Sequence, residues 1–441
     1  MTGRDGKLCR GLKPRGLQMD PKFLITHETR RLRRPRGFSP RHSFTGLTIF
    51  ALLLVVAACD RRSEDLPLLS NVARGCIENF DAVKDYFPKK VTLEFARNFS
   101  VEYHNSYKVV TVHQASQGSG AESYVLLQCG APNPTLGGKL ASAPIIPVPI
   151  VSLFSESTTH DQALIDLGRI DALTGIASAQ YAVHNEVIDR IKSGQVSDFA
   201  ANGMINAERV IAAGPTILMA GRNDDPVFAT IRNGGVPVVV NADWLDQTPL
   251  GRAEWIKYIA LYLNEEEKAE ERFVVIRDAY RSWKDRTAKV SKEGRPKVTT
   301  GGVFQGNYIV SGGRSYVAEL IDDAGADYVW SDVEQTGSAT IDIEAALTRA
   351  AEADYWINGG PWKDLSAMLA DEPRYNEFKS FRAGQVWSYN RRDKPGGTND
   401  YWARGIARPD LILADLIKIF HPELAADHEF QWYLQVPKKS K

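Results

Sequence analysis

The run "NEEEKAEERFVVIRDAYRSWKDRTAK", residues 264–289, opens acidic and closes basic. Its apolar residues Ala269, Phe273, Ile276, Tyr280 and Trp283 fall at spacings of 4, 3, 4 and 3 residues, which makes one continuous seam along a helix. Glu265–Glu267 sit where a helix end is positive, and Lys284, Arg286 and Lys289 where it is negative. Asn264 reads as the N-cap, with Glu267 placed as in a capping box. About 24 helical residues span roughly 36 Å. A flexible linker would be rich in Gly and Ser. This one is a stiff strut with a buried stripe, so it predicts limited hinge motion between the parts it joins. Just upstream, Thr248 reads as an N-cap and Pro249 as the first helical residue, opening "LGRAEWIKYIALYL".

The sequence on either side of the strut is similar. "INAERVIAAGPTILMAG" (205–221) and "IDIEAALTRAAEADYWINGG" (341–360) each start with Ile and an N-cap residue, Asn206 or Asp342. Each has a Glu two residues later, Glu208 or Glu344, and each runs from a short helix into a buried strand. A looser pair is "HDQALIDLGRIDALTGIA" (160–177) and "SYVAELIDDAGADYVWSD" (315–332), each a helix, a Gly and a strand. A third helix and strand follow in both halves: "DDPVFATIRNGGVPVVVN" and "DEPRYNEFKSFRAGQVWSYN". This alternation predicts an α/β fold of two similar lobes, each with a parallel sheet, joined by the rigid helix and holding a ligand cleft between them. The expected boundaries are an N-terminal lobe over 95–248, linker helices over 249–290 and a C-terminal lobe over 295–434. Residues 91–128, at the start of the N-terminal lobe, show strand-like alternation, with "QASQGSGAES" as a turn.

The formal net charge is zero, but it is unevenly distributed. Residues 1–58 carry twelve Lys and Arg against three Asp and Glu, which leaves 42 basic and 51 acidic side chains in residues 59–441. A body that acidic is a poor partner for nucleic acid. The basic leader precedes a twelve-residue apolar run, Leu47–Ala58, too short to span a bilayer and right for a signal peptide. Val56-Ala57-Ala58-Cys59 resembles a lipobox, so residues 1–58 read as a lipoprotein-type signal peptide and Cys59 as the lipidated residue. Residues 59–94 then form a tether and N-terminal extension, and the membrane is a partner through the lipid anchor. The alternative is a hydrophobic N-terminal strand with an incidental Cys. Of the four cysteines, only Cys76 and Cys129 then remain outside the leader and the anchor. In an exported protein such a pair suggests one disulfide, the alternative being two separate buried thiols.

Lipobox, βα lobe, rigid helix and βα lobe together resemble the ferric-siderophore and cobalamin substrate-binding proteins of ABC importers, the helical-backbone family. The resemblance covers roughly residues 95–434. "TPLGRAEWIKYIALYLNEE" looks like the entry to the backbone helix, "GNYIVSGGRSYVAELIDDAGADYVW" like the C-lobe opening, and "NDYWARGIARPDLILADLIKIFHPEL" like the C-terminal helix of iron-complex members. The resemblance implies a monomeric, lipid-anchored receptor on the periplasmic side of the inner membrane or the outer face of the plasma membrane. It would capture a chelated metal, foremost a ferric siderophore, with haem or cobalamin as alternatives. It implies ABC permease subunits as partners, docked through one Glu per lobe at positions matching Glu208 and Glu344. It implies no cofactor, the chelate being cargo.

Ligand should lie between the lobes, at loops after strand C-termini. The N-lobe candidates are Thr159, His160, Phe199, Arg222 and Trp244. Those of the C-lobe are Asn307, Tyr308, Trp362, Arg391, Arg392, Tyr401 and Trp402. Aromatics suit a bulky, partly apolar ligand and arginines an anionic chelate. The six histidines beyond the leader, at 104, 113, 160, 184, 421 and 428, form no HExxH motif or close cluster, so no resident metal is expected. No GxSxG, phosphate loop or helix-opening GxGxxG occurs, and no catalytic residues are assigned. The competing reading is a lipid-anchored chelatase-like or tetrapyrrole-processing enzyme on the same bilobal shell, distinguishable by turnover.

Overall fold

The computed structural model describes residues 70–201, 204–360, 362–394 and 398–439. The signal segment, Cys59 and most of the tether after it lie outside the described residues. Two five-stranded sheets form the lobes. In the first, strands Leu153–Ser155, Leu173–Ile176, Ser197–Asp198, Ile217–Ala220 and Val238–Val240 are all parallel. Leu153–Ser155 lies between Leu173–Ile176 and Ile217–Ala220, with Val238–Val240 at the edge. In the second, Lys297–Thr300 lies between Asp327–Tyr328 and Tyr355–Ile357, followed by Val386–Ser388 and an antiparallel Leu434–Gln435. With the edge strand Ser197–Asp198 set aside, the other four strands of the first sheet take the same spatial order as the first four of the second. The mixed α/β architecture with two lobes is the one the repeated helix–strand pattern predicts.

The long helix runs Glu266–Thr287, and its seam explains the bilobal build. Ala269, Phe273 and Ile276 are packed into the first lobe's core, whereas Tyr280 belongs to the second lobe's core and Trp283 packs against it. One stripe thus docks two cores in succession, and buried apolar contact fixes the helix to both. The Tyr280 hydroxyl donates to Asp323 Oδ2 at 2.7 Å, and Lys284 pairs with the same carboxylate at 2.6 Å.

The entry to this helix departs from the capping reading. Asn264 ends the preceding helix, Ile256–Leu263, with a left-handed φ of 55°. Its side chain is committed to tertiary contacts: Nδ2 donates to Val72 O and Gln128 Oε1, and Oδ1 accepts from Lys108. Glu265 takes the N-cap place with no side-chain cap hydrogen bond, so no capping box forms. Upstream, Thr248 does cap, accepting from the Gly251 amide at 2.9 Å with Pro249 at the first position. That helix stops at Ala253, and the stretch read as one helix is two.

The alternating segment before residue 128 does not join the N-lobe sheet. Phe99–Tyr103, Tyr107–Val112, Glu122–Gln128 and Ile145–Val148 form their own four-stranded sheet, antiparallel except for its last pair. Two buried ion networks bind this extension to the linker helices. Glu254, fully buried, accepts from the amides of Glu94, Phe95 and Ala96 at 2.7–2.9 Å and from Lys257 at 2.9 Å. Lys108, also fully buried, donates to Leu261 O, Asn264 Oδ1 and Glu266 Oε1. Burial pushes the Lys108 ammonium below its usual range while Glu266 opposes the shift. A disulfide joins Cys76 to Cys129 across 53 residues and ties the chain before the sheet to its third strand's end.

Candidate functional site

Between the lobes lies a cleft of about 910 Å³, lined from both sides by loops that follow strand ends. The first lobe contributes Thr159, His160, Asn241, Asp243 and Trp244. The linker contributes Arg252, and the N-terminal sheet contributes Gln117 from its Gly/Ser-rich turn. The second lobe contributes Phe304 and Tyr316 and the aromatic group Trp362, Tyr389, Tyr401 and Trp402. Gly301, with a φ of 90°, lets the hairpin behind Phe304 fold close, because a Cβ there would lie 1.8 Å from Ile309 O.

Among the described residues, seven aromatic rings face this space, and their exposure divides them. Tyr401 is buried and stacked on Tyr389 at 4.7 Å. Phe304 is 66% exposed, and Trp244 and Trp402 are 39% and 40% exposed. These three large rings are offered to a ligand rather than to the core. Trp244 is oriented by its indole N–H, which donates to Gly221 O at 2.8 Å. Trp362 is held by donation to Asp371 and by the edge of Tyr375.

Charge is sparse. Asp243 and Arg252 are the two charged side chains among the described lining residues, and they pair at 3.1 Å. Burial alone would lower the Arg252 guanidinium, but Asp243 and the Tyr316 phenol beneath it at 4.7 Å raise it above its ordinary value. His160 is buried with Nδ1 2.8 Å from Ser155 Oγ, and burial pushes its imidazole down to about 4, so it is neutral at pH 7. No group of three or more His, Cys, Asp or Glu among the described residues is arranged to hold a metal ion.

The structure brings together Thr159, His160, Trp244, Trp362, Tyr401 and Trp402 at the cleft. It places the other six candidates elsewhere. Phe199 is buried, stacked on Phe154 at 5.1 Å in a small apolar cluster behind the sheet. Tyr308 points inward from its strand, stacked on Phe378 at 6.2 Å, because strand alternation turns Ile309 the other way. Asn307 is exposed near the hairpin tip, where Phe304 takes the lining place. Arg222 is exposed and paired with Asp224 at 3.4 Å. Arg391 is exposed, and Arg392 lies over the Trp432 ring at 4.7 Å, bonded to Gln431. Part of the run that carries them, 395–397, lies outside the described residues.

The residues missed are Gln117, Phe304, Asn241, Asp243, Arg252, Tyr316 and Tyr389. Asp243 stood one residue from Trp244 and was legible there. Arg252 sat inside a helix read as purely structural.

Residues 150–392 match the periplasmic binding protein family, and they span the first lobe's sheet, the long helix and the four parallel strands of the second lobe's sheet. The chain belongs to that family. An uncharacterized lipoprotein of Methanocaldococcus jannaschii is 28% identical over 302 residues, covering 66% of this chain and 70% of the relative. A second uncharacterized lipoprotein of that organism is 23% identical over 330 residues, covering 72% and 81%. A periplasmic binding protein from Veillonella parvula shares the fold, with a TM-score of 0.51 at 14% identity over 71% of this chain and 98% of its own. The family match begins at residue 150, so the four-stranded sheet that supplies Gln117 to this periplasmic binding protein's cleft lies outside it.

Glu208 and Glu344 stand at matching places, each in the first turn of the helix that precedes the strand paired with the lobe's first strand, Leu153–Ser155 or Lys297–Thr300. Asn206 accepts from the Arg209 amide at 3.0 Å, and Asp342 from the Glu344 amide at 2.9 Å. Both glutamates are exposed, and Glu344 pairs with Arg374 at 2.9 Å.

Proposed function

We propose that this periplasmic binding protein is a lipid-anchored receptor of an ABC importer, capturing a bulky metal chelate between its lobes and handing it to a permease. The observation that carries the reading is the large cleft offering three exposed aromatic rings, one from the first lobe and two from the second. Such a surface suits a wide, partly apolar ligand held by stacking. The one ion pair among its described lining residues is internally neutralised, and Arg222, Arg391 and Arg392, the arginines expected to meet an anionic chelate, stand outside that lining. This favours an uncharged cargo: a neutral ferric hydroxamate first, and a corrinoid of the cobalamin kind second, over anionic catecholate or citrate complexes and haem. The lipobox at Cys59 and the lipoprotein relatives support anchoring and export. Glu208 and Glu344 supply one exposed carboxylate per lobe for permease arginines, where matched charge fixes docking register.

The test is intrinsic tryptophan fluorescence, titrated with ferric hydroxamate, catecholate and citrate siderophores, haem and cobalamin, with inner-filter correction. Saturation by a neutral chelate, recovered unchanged and without response to its metal-free form, is expected. Tightest binding by a trianionic catecholate would overturn the charge argument, and chemical turnover of the ligand would overturn the receptor reading.

A further inference from the structure

Beside the cleft is a second, smaller pocket of about 320 Å³, and Ser157 lines both. It sits where Leu153–Ser155 passes through residues 156–158 into the helix Thr159–Asp166. Its walls include Glu156, Asp161, Ser178 and Tyr181, and among the described residues no Lys or Arg lines it. Asp161 is 1% exposed, and neither carboxylate oxygen finds a hydrogen-bond partner among the described residues. Its neighbour His160 is turned to Ser155 and leaves it unpaired. Glu156 keeps one oxygen on the Gly221 amide at 2.8 Å. Burial pushes the Asp161 carboxyl up to about 8, and it raises Glu156 too, against the opposing pull of the Gly221 amide and the Arg222 charge.

A buried carboxyl without a partner is costly: near neutral pH it stays largely protonated, with its hydrogen bonds unmade, until a cation meets it. A metal ion is a poor match, since no metal-holding group of side chains forms among the described residues. An ammonium group is a good match. It brings positive charge and up to three N–H donors for the Asp161 oxygens, the free side of Glu156 and the serine hydroxyls.

We propose that this side pocket is a binding site for a primary ammonium group, held at Asp161 with Glu156 as second acceptor. The ammonium comes either from a small free amine or from an amine-bearing arm of the chelate in the adjoining cleft. The second source rests on the proposed receptor function; the first does not.

Two measurements on the full chain separate the sources. Methylammonium chloride is compared with sodium chloride at matched ionic strength by thermal unfolding. Separately, calorimetry compares a ferric trihydroxamate bearing one free amine with the same chelate after acetylation of that amine. A rise in Tm with methylammonium alone supports a free-amine site. An advantage of about tenfold for the free-amine chelate, the worth of one charge-assisted hydrogen bond, supports the arm. In D161N either effect should fall below about twofold. Should D161N fold poorly, E156Q and the wild-type acetylation comparison carry the same test. Neither effect in the wild type, or effects unchanged in a folded D161N, would overturn the proposal. No response to either chelate, with the methylammonium effect present, would sink the receptor reading alone.

Discussion

Replacing Lys108 by Met tests how the N-terminal sheet is held to the long helix. The ammonium bonds three acceptors, at 2.5 Å to Leu261 O, 2.9 Å to Asn264 Oδ1 and 2.7 Å to Glu266 Oε1, with both charged side chains fully buried. K108M leaves the Glu266 carboxylate buried with one remaining donor, Asn71 Nδ2 at 2.7 Å. Breaking a buried pair by removing one partner costs about 3–5 kcal/mol. The surviving Asn71 bond places this case near the lower end, about 3 kcal/mol. Removing both charges in K108M/E266L leaves no orphaned ion, only two acceptors short of a donor and one Asn71 N–H short of an acceptor, so the double variant should lose about 1–2 kcal/mol. Urea unfolding followed by tryptophan fluorescence and circular dichroism reads both. With a slope near 3 kcal/mol per molar, the single variant's midpoint falls by about 1 M. A single variant within about 1 kcal/mol of the wild type, or a double variant no better than the single, would refute the claim that the pair is desolvated and coupled.

Three further outcomes follow from the same geometry. E208A/E344A should abolish uptake of the chelate in cells while its dissociation constant stays unchanged; lost affinity would place those glutamates at the ligand. W244A and W402A should each weaken chelate binding about tenfold, the worth of one stacked ring, whereas R222A should leave the titration curve in place. D161N should be more stable than the wild type above pH 8, by at most about 6 kcal/mol. Asp161 sits at about 8 when folded against 3.8 ordinarily, so the folded chain holds a proton that the unfolded chain has lost between those values, and stability falls as pH rises through them. The advantage of D161N should therefore shrink to nothing near pH 4, and a pH-independent difference in denaturation midpoints would contradict it.

How much of the site could be read from the chain depended on the kind of signal. Trp244, Trp362 and Trp402 follow strand ends in both lobes, and a large ring after a strand's C-terminus has few places to go except the crevice there. Tyr308 had the same local credentials and went to the core, because one step along a strand turns a side chain to the other face. The arginines failed for another reason. Arg222 and Arg392 have long side chains that settle on Asp224 and on the Trp432 face, partners set by neighbouring loops.

The sequence by itself determined the long helix, its end charges, its seam and the order of helices and strands in each lobe. These are periodic, local patterns, and a helix or a βα unit is closed by residues a few positions apart. Tertiary structure alone decided that the alternating strands before residue 128 would build a sheet of their own and send Gln117 to the cleft. It also drew Asn264 from a capping role to Lys108 and Gln128, and closed Asp243 on Arg252 inside the cleft. Those choices turn on which buried polar groups find partners from distant parts of the chain, and that is settled only when the lobes pack.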